Sequence, residues 1–213
     1  MKKLVLALLA LVLMVCVAGC GSEKPKTSAD QSILAFAELY AYGGTENAAK
    51  TGMTDADIKT VSDQFQQGMM QSFAGFGIPV SEQQELTNYY LDALQENMAI
   101  KTKIKTDSDK SPVVEVTITP LDTANFTKDM QTSPAIMQLG EAKGLFQAGG
   151  ADPAQQQVYV DAVDQVMKEL IDNMPMLATK TFEVKCKLAK DKDGKLFWNP
   201  EDVQALANNV AGK

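Results

Sequence analysis

Residues 100–118 read IKTKIKTDSDKSPVVEVTI, and this stretch decides the fold. Ile100, Thr102 and Ile104 alternate with Lys101, Lys103 and Lys105; past the polar run Asp107–Lys110, Val114, Val116 and Ile118 alternate with Glu115, Thr117 and Thr119. A period of two is that of a strand with one buried face, so the stretch predicts a β-hairpin. A turn centred on Ser108 sets Ile100 opposite Val116 and Thr102 opposite Val114, and Lys101 then meets Glu115.

Upstream the period is 3.6. Ile33, Phe36, Ala37 and Tyr40 share a helix face that ends at Gly43 and Gly44, with Ser28 or Asp30 as its cap. Thr54 with Asp57 reads as a capping box for a second helix carrying Ile58, Val61, Phe65, Met69 and Phe73. Ser81 with Gln84 repeats the pattern before Leu86, Tyr89, Tyr90, Leu94 and Met98.

Downstream, helical patches around Phe126–Met130 and Ile136–Phe146 precede Asp152 and Pro153, which open a long helix with Tyr159, Val163, Met167 and Ile171 on one face. A second hairpin places Phe182, Val184, Cys186 and Leu188 on one side. A three-residue turn with Gly194 left-handed pairs Leu188 with Trp198 and turns Leu196 and Trp198 inward, whereas a two- or four-residue turn would put Phe197 inward instead. Asn199 and Pro200 are expected to cap a closing helix with Val203, Leu206 and Val210. The fold class that follows is α+β, an antiparallel sheet of about four strands from two hairpins with one face covered by helices.

The 213 residues contain no histidine, and all 20 basic residues are lysine. Without imidazole there is no Ser/His or Cys/His nucleophile pair and no His-containing zinc site. Without guanidinium, and with a net charge of -7, nucleic acid is not an expected partner. A mean hydropathy of -0.14 is that of an ordinary globular chain.

At the N-terminus, Lys2 and Lys3 precede an apolar run from Leu4 to Val17, shorter than the roughly 20 residues of a spanning helix. Val17, Ala18, Gly19 and Cys20 resemble the lipobox of bacterial lipoproteins, which implies a diacylglyceryl group on Cys20. The expected organisation is a signal peptide over 1–19, a lipidated cysteine and flexible tether over 20–28, and a single α+β domain over 29–213, held on the extracytoplasmic side of the cell membrane. From Cys20 onward there are 18 lysines and 27 acidic residues, a formal charge of -9. Cys186 is then the sole non-lipidated cysteine and has no disulfide partner.

The stretches Ile33–Tyr42, Ala48–Thr54 (AAKTGMT), Val113–Pro120 (VVEVTITP) and Asp191–Trp198 resemble parts of uncharacterised lipoproteins of Gram-positive bacteria. Some of these have NTF2-like or cystatin-like domains, in which a curved sheet wraps helices. The resemblance implies no catalytic residues. The segment of about 55 residues between the hairpins departs from the simplest plan of that kind.

Three classes of function follow from these readings. The leading one is a lipid-anchored extracytoplasmic binding or interaction module; a structural component of the cell envelope is the alternative, and a carboxylate-based hydrolase the third. No cofactor and no metal are expected. Met69, Met98, Met167 and Met174 lie on apolar helix stripes, where methionine fills core gaps more readily than it gathers Cu(I). Asp191, Asp193 and Gly194 suit a hairpin turn better than a calcium loop. Candidate pocket residues, for an unidentified small molecule, are Tyr40, Phe65, Met69, Tyr89, Tyr90 and Trp198. Lys101, Lys103, Lys105, Lys185 and Lys187 share a strand face and form a candidate stripe for an anionic wall polymer or an acidic envelope protein.

Overall fold

A computed structural model describes residues 24–149 and 152–212. Among these, seven α-helices and four strands follow one another as α1 (Ala29–Tyr42), a 3-10 turn (Ala48–Thr51), α2 (Asp55–Ala74), α3 (Val80–Asn97), β1 (Ile100–Thr106), β2 (Val113–Ile118), α4 (Thr123–Thr132), α5 (Pro134–Gly149), α6 (Pro153–Asp172), β3 (Lys180–Lys190), β4 (Leu196–Pro200) and α7 (Val203–Val210). The fold is α+β with a four-stranded antiparallel sheet, as the two hairpins predict. The residues group into two compact units. Among the described residues, one comprises 24–65, Met98–Pro120 and 178–212; the other comprises Gln66–Asn97, 121–149 and 152–177.

The first unit contains the whole sheet, in the order β1-β2-β3-β4. Helix α1 lies against β1, β2 and β4. Its Ile33, Phe36, Ala37 and Leu39 are fully buried, and so are Val114, Val116 and Ile118 of β2 and Cys186 of β3. Gly43, at φ 73°, ends α1 in the left-handed conformation that lets its N–H reach the carbonyls of the last turn. The Asp57 N–H donates to the Thr54 hydroxyl oxygen at 3.2 Å, capping the start of α2, and that hydroxyl donates to the Asp57 carboxylate at 2.6 Å.

The first hairpin pairs differently from the expectation. Ile100 faces Ile118, Thr102 faces Val116, Lys103 faces Glu115 and Ile104 faces Val114, with a bulge at Lys105. The turn thus centres on Asp109, one residue beyond Ser108, which moves the register by two and leaves the inward set unchanged. The expected register would have set Ile104 opposite Pro112, which has no N–H for the ladder. The observed one gives Ile104 a valine and Ile118 an isoleucine.

The second hairpin pairs Leu188 with Trp198, and Gly194 takes φ 78°. Asp191 Oδ1 accepts from the N–H groups of Asp193 and Lys195 at 2.9 and 2.8 Å, so the two aspartates belong to the turn. Phe197, expected to face away, is as buried as Trp198. These successive residues point to opposite faces, so β4 is covered on both. Against Phe197 sits Gly52, where a Cβ would come within 2.3 Å of the ring.

In the second unit α3 and α6 pack together, α5 lies on α6, and Tyr90 stacks on Phe126 with ring centroids 5.8 Å apart. Phe73, Leu86, Val163, Met167 and Ile171 form its core. Asp152 caps α6 through the Gln155 N–H at 2.9 Å, as its place before Pro153 predicts. Two other caps differ from expectation. Helix α3 begins at Val80, where the Pro79 carbonyl accepts from Gln83, and Ser81 is already helical. Helix α7 is capped by Asp202, whose carboxylate takes the Ala205 N–H at 2.8 Å; Asn199 and Pro200 are the last residues of β4.

Candidate binding surface

One face of the sheet packs on α1 and the other carries its charge. Alternation and register place Lys101, Lys103 and Lys105 of β1, Glu115 and Thr117 of β2, and Thr181, Glu183, Lys185 and Lys187 of β3 on the outer face. Glu115 and Glu183 stand directly opposite each other, a repulsive cross-strand pair. Two lysines offset it. Lys103 Nζ lies 2.8 Å from Glu115, and Lys105 reaches across β2 to Glu183, a bond that holds the Lys105 ammonium above its ordinary pKa. Beside them the Thr117 and Thr181 hydroxyls meet at 3.0 Å, and those of Thr119 and Thr179 at 2.7 Å.

The five lysines of the candidate stripe therefore do two things. Lys103 and Lys105 neutralise the glutamates at its centre. Lys101, at one end, and Lys185 and Lys187, at the other, have no ion-pair partner among the described residues.

The candidate pocket residues fall in both units. Tyr40, Phe65 and Trp198 belong to the first; Met69, Tyr89 and Tyr90 belong to the second. Tyr40 is buried and stacks on Phe36, and Tyr90 is buried against Phe126. Burial pushes both phenols up to about 12. Tyr89 is tied into a polar clamp between α3 and α6. Its hydroxyl donates to Asp172 at 2.5 Å, and Lys168, bonded to Asp164 at 3.0 Å, lies 5.5 Å from its ring centre.

None of the six lines the cleft of about 340 Å³ in the first unit, formed by Thr45, Ala49, Asp55, Ile58, Lys59, Ser62 and Asp63. Its lining mixes polar and apolar side chains, and Lys59 holds both oxygens of Asp63 at 2.8 and 2.9 Å. Sequence reasoning missed it because, apart from Ile58, its residues come from the polar side of α2 and the segment before it, where no periodicity marks them.

Cys20 lies outside the described residues. Cys186 is a free thiol with no exposed surface, and burial, with Glu201 nearby, pushes it up to about 12. Met98, Met167 and Met174 are buried in apolar surroundings. Among the described residues no group of three or more Cys, Asp or Glu side chains is placed to hold a metal ion, and no helix is long and apolar enough to cross a membrane.

Fold and surface define the class: an α+β protein whose sheet packs on a helix on one face and is charged across β1, β2 and β3 on the other. Residues 34–208 match the family described as a domain of unknown function, DUF5105, and the chain belongs to that family. It is also similar to the crystal structure of a candidate lipoprotein of Bacillus subtilis, YcdA, at 18% identity and a TM-score of 0.44, over 85% of this chain and 54% of that one. The chain thus spans about half the length of that structure. No curated protein matches.

Proposed function

We propose that the protein is a lipid-anchored, extracytoplasmic interaction module that works by binding and carries out no catalytic step. The contact surface is the outer face of the sheet, and the partner is anionic. One observation carries this reading. In a chain of net charge -7, that face presents Lys101, Lys185 and Lys187 without ion-pair partners among the described residues. The anchor rests on the Lys2–Lys3 start, the short apolar run and the lipobox ending at Cys20. In this reading the first unit, a sheet against a long helix, is an NTF2-like or cystatin-like platform.

Replacing Cys20 with Ser tests both halves. The variant should leave the membrane fraction or stay unprocessed. The soluble form, added back to isolated envelopes, should be retained at low salt and released at moderate salt. A Cys20→Ser protein that still partitions as a mature lipid-modified species contradicts the anchor. Retention that ignores salt contradicts the anionic partner.

A further inference from the structure

The two turns of the sheet lie at the same end. Strands β1 and β3 both run antiparallel to β2, so the β1–β2 turn and the β3–β4 turn close the same end of the sheet. Residues 105–112 and 185–195 hold seven lysines against four aspartates. From Cys20 onward the whole chain carries -9, so this end opposes the charge of the rest. Two of its four aspartates are engaged. Asp109 binds Lys24 at 2.6 Å, and Asp191 is turned onto the N–H groups of its own loop. Lys110, Lys192 and Lys195 are exposed and have no ion-pair partner among the described residues, while Glu201, 3.4 Å from the Ser111 hydroxyl, adds one carboxylate nearby.

The chain enters the fold at this same end. Lys24, bonded to Asp109 of the β1–β2 turn, is four residues from Cys20. Four residues span at most about 14 Å. A lipid on Cys20 would hold the turns within that distance, plus a lysine side chain, of the headgroups. That is an upper limit of about 20 Å, and any slack in the tether brings the turns toward the Debye length of about 8 Å at physiological salt. An acidic body tethered close to an anionic surface is repelled least in an orientation that presents a basic region such as this end.

We infer that the turn end of the sheet, through Lys110, Lys192, Lys195 and the neighbouring Lys185 and Lys187, rests on anionic lipid headgroups and sets the orientation of the first unit on the membrane. The inference rests on the anchored reading and names the anionic partner at this end of the sheet as the lipid surface itself.

The mature lipoprotein is reconstituted into vesicles of phosphatidylcholine alone or enriched in phosphatidylglycerol, and amide hydrogen exchange is followed. Peptides over 105–112 and 185–195 should exchange on the order of tenfold more slowly on the phosphatidylglycerol vesicles, the scale of one or two lysine–headgroup contacts. Peptides of α3 and α6 should not respond to lipid charge. Added salt, or Lys110→Glu, Lys192→Glu and Lys195→Glu together, should abolish the difference. These three lysines are exposed, so the variant should keep the exchange pattern of the buried Val114–Ile118 strand.

Equal exchange on both vesicle types overturns the inference and leaves the anchor standing. Failure to float with phosphatidylcholine vesicles overturns the anchor, and the inference with it. Protection by isolated cell wall but not by phosphatidylglycerol vesicles also overturns it, in favour of a wall polymer.

Discussion

The two hairpins of the sheet are closed by different means. In the second, Asp191 and a left-handed Gly194 leave one geometry for three loop residues, and the register follows from the turn. In the first, six residues from Asp107 to Pro112 separate the paired ends and contain no glycine; Ser108 Oγ accepts from Lys110 and Ser111 at 3.3 and 3.2 Å. Such a loop admits more than one register, and the strands choose among them. The outcome differs as well. Both β1 and β4 are edge strands, but β4 is buried on both faces, whereas Ile104 of β1, although on the inner side, is 41% exposed. A tight turn specifies its own pairing; a long one leaves it to apolar partners and to the proline that must stay out of the ladder.

The largest effect is expected where β4 is covered. Gly52→Ala puts a Cβ within 2.3 Å of the Phe197 ring at φ 71°. Left-handed strain of about 1–2 kcal/mol adds to an overpacking cost of about 1–3 kcal/mol, for a loss of about 3 kcal/mol in denaturant unfolding. A near-neutral result would mean that Phe197 is not held there. Gly194→Ala has the same backbone conformation with open space around it, so only strain of about 1 kcal/mol should appear. A larger loss would make the second hairpin depend on more than its turn.

The inner face of β3 also has a pH signature. The folded Cys186 thiol titrates near 12 and the unfolded one near 9, so stability is full below about pH 9 and declines as pH rises through the interval between them. Below pH 9 a thiol reagent should label native Cys186 only as fast as the fold opens. Rapid labelling would place the side chain on the other face.

The smallest effect concerns the first hairpin. Changing Lys103 and Lys105 to Ala leaves Glu115 and Glu183 opposed, so the variant should be less stable than wild type at low salt and converge with it as salt is added. A salt-independent difference would contradict the pairing of Lys103 with Glu115.

These contrasts also explain what could be read from the residues alone. Period and turn chemistry revealed the α+β class, the two hairpins, the Leu188–Trp198 pairing and the cap at Asp152, because each is a local signal. The start of α3 was misread because Pro79, with its carbonyl free to accept, opens the helix before Ser81 can. The start of α7 was misread because β4 continues through Pro200, which moves the cap to Asp202. The burial of Phe197 depends on a glycine turn more than 140 residues earlier in the chain, and no period reports such a contact. The lysine stripe was legible as a face. Its division into neutralised and unpaired lysines was not, because that depends on a register the first turn does not specify.

The measurement that bears most directly on the function is retention on isolated envelopes at low salt, comparing two sets of substitutions. One set, Lys101→Glu, Lys185→Glu and Lys187→Glu, reverses the unpaired lysines of the outer face; the other, Asp55→Asn and Asp63→Asn, alters the polar cleft. If the open face of the sheet is the contact surface, the first set loses retention and the second binds as wild type does. Loss confined to the cleft variants, with full retention by the lysine variants, would contradict it.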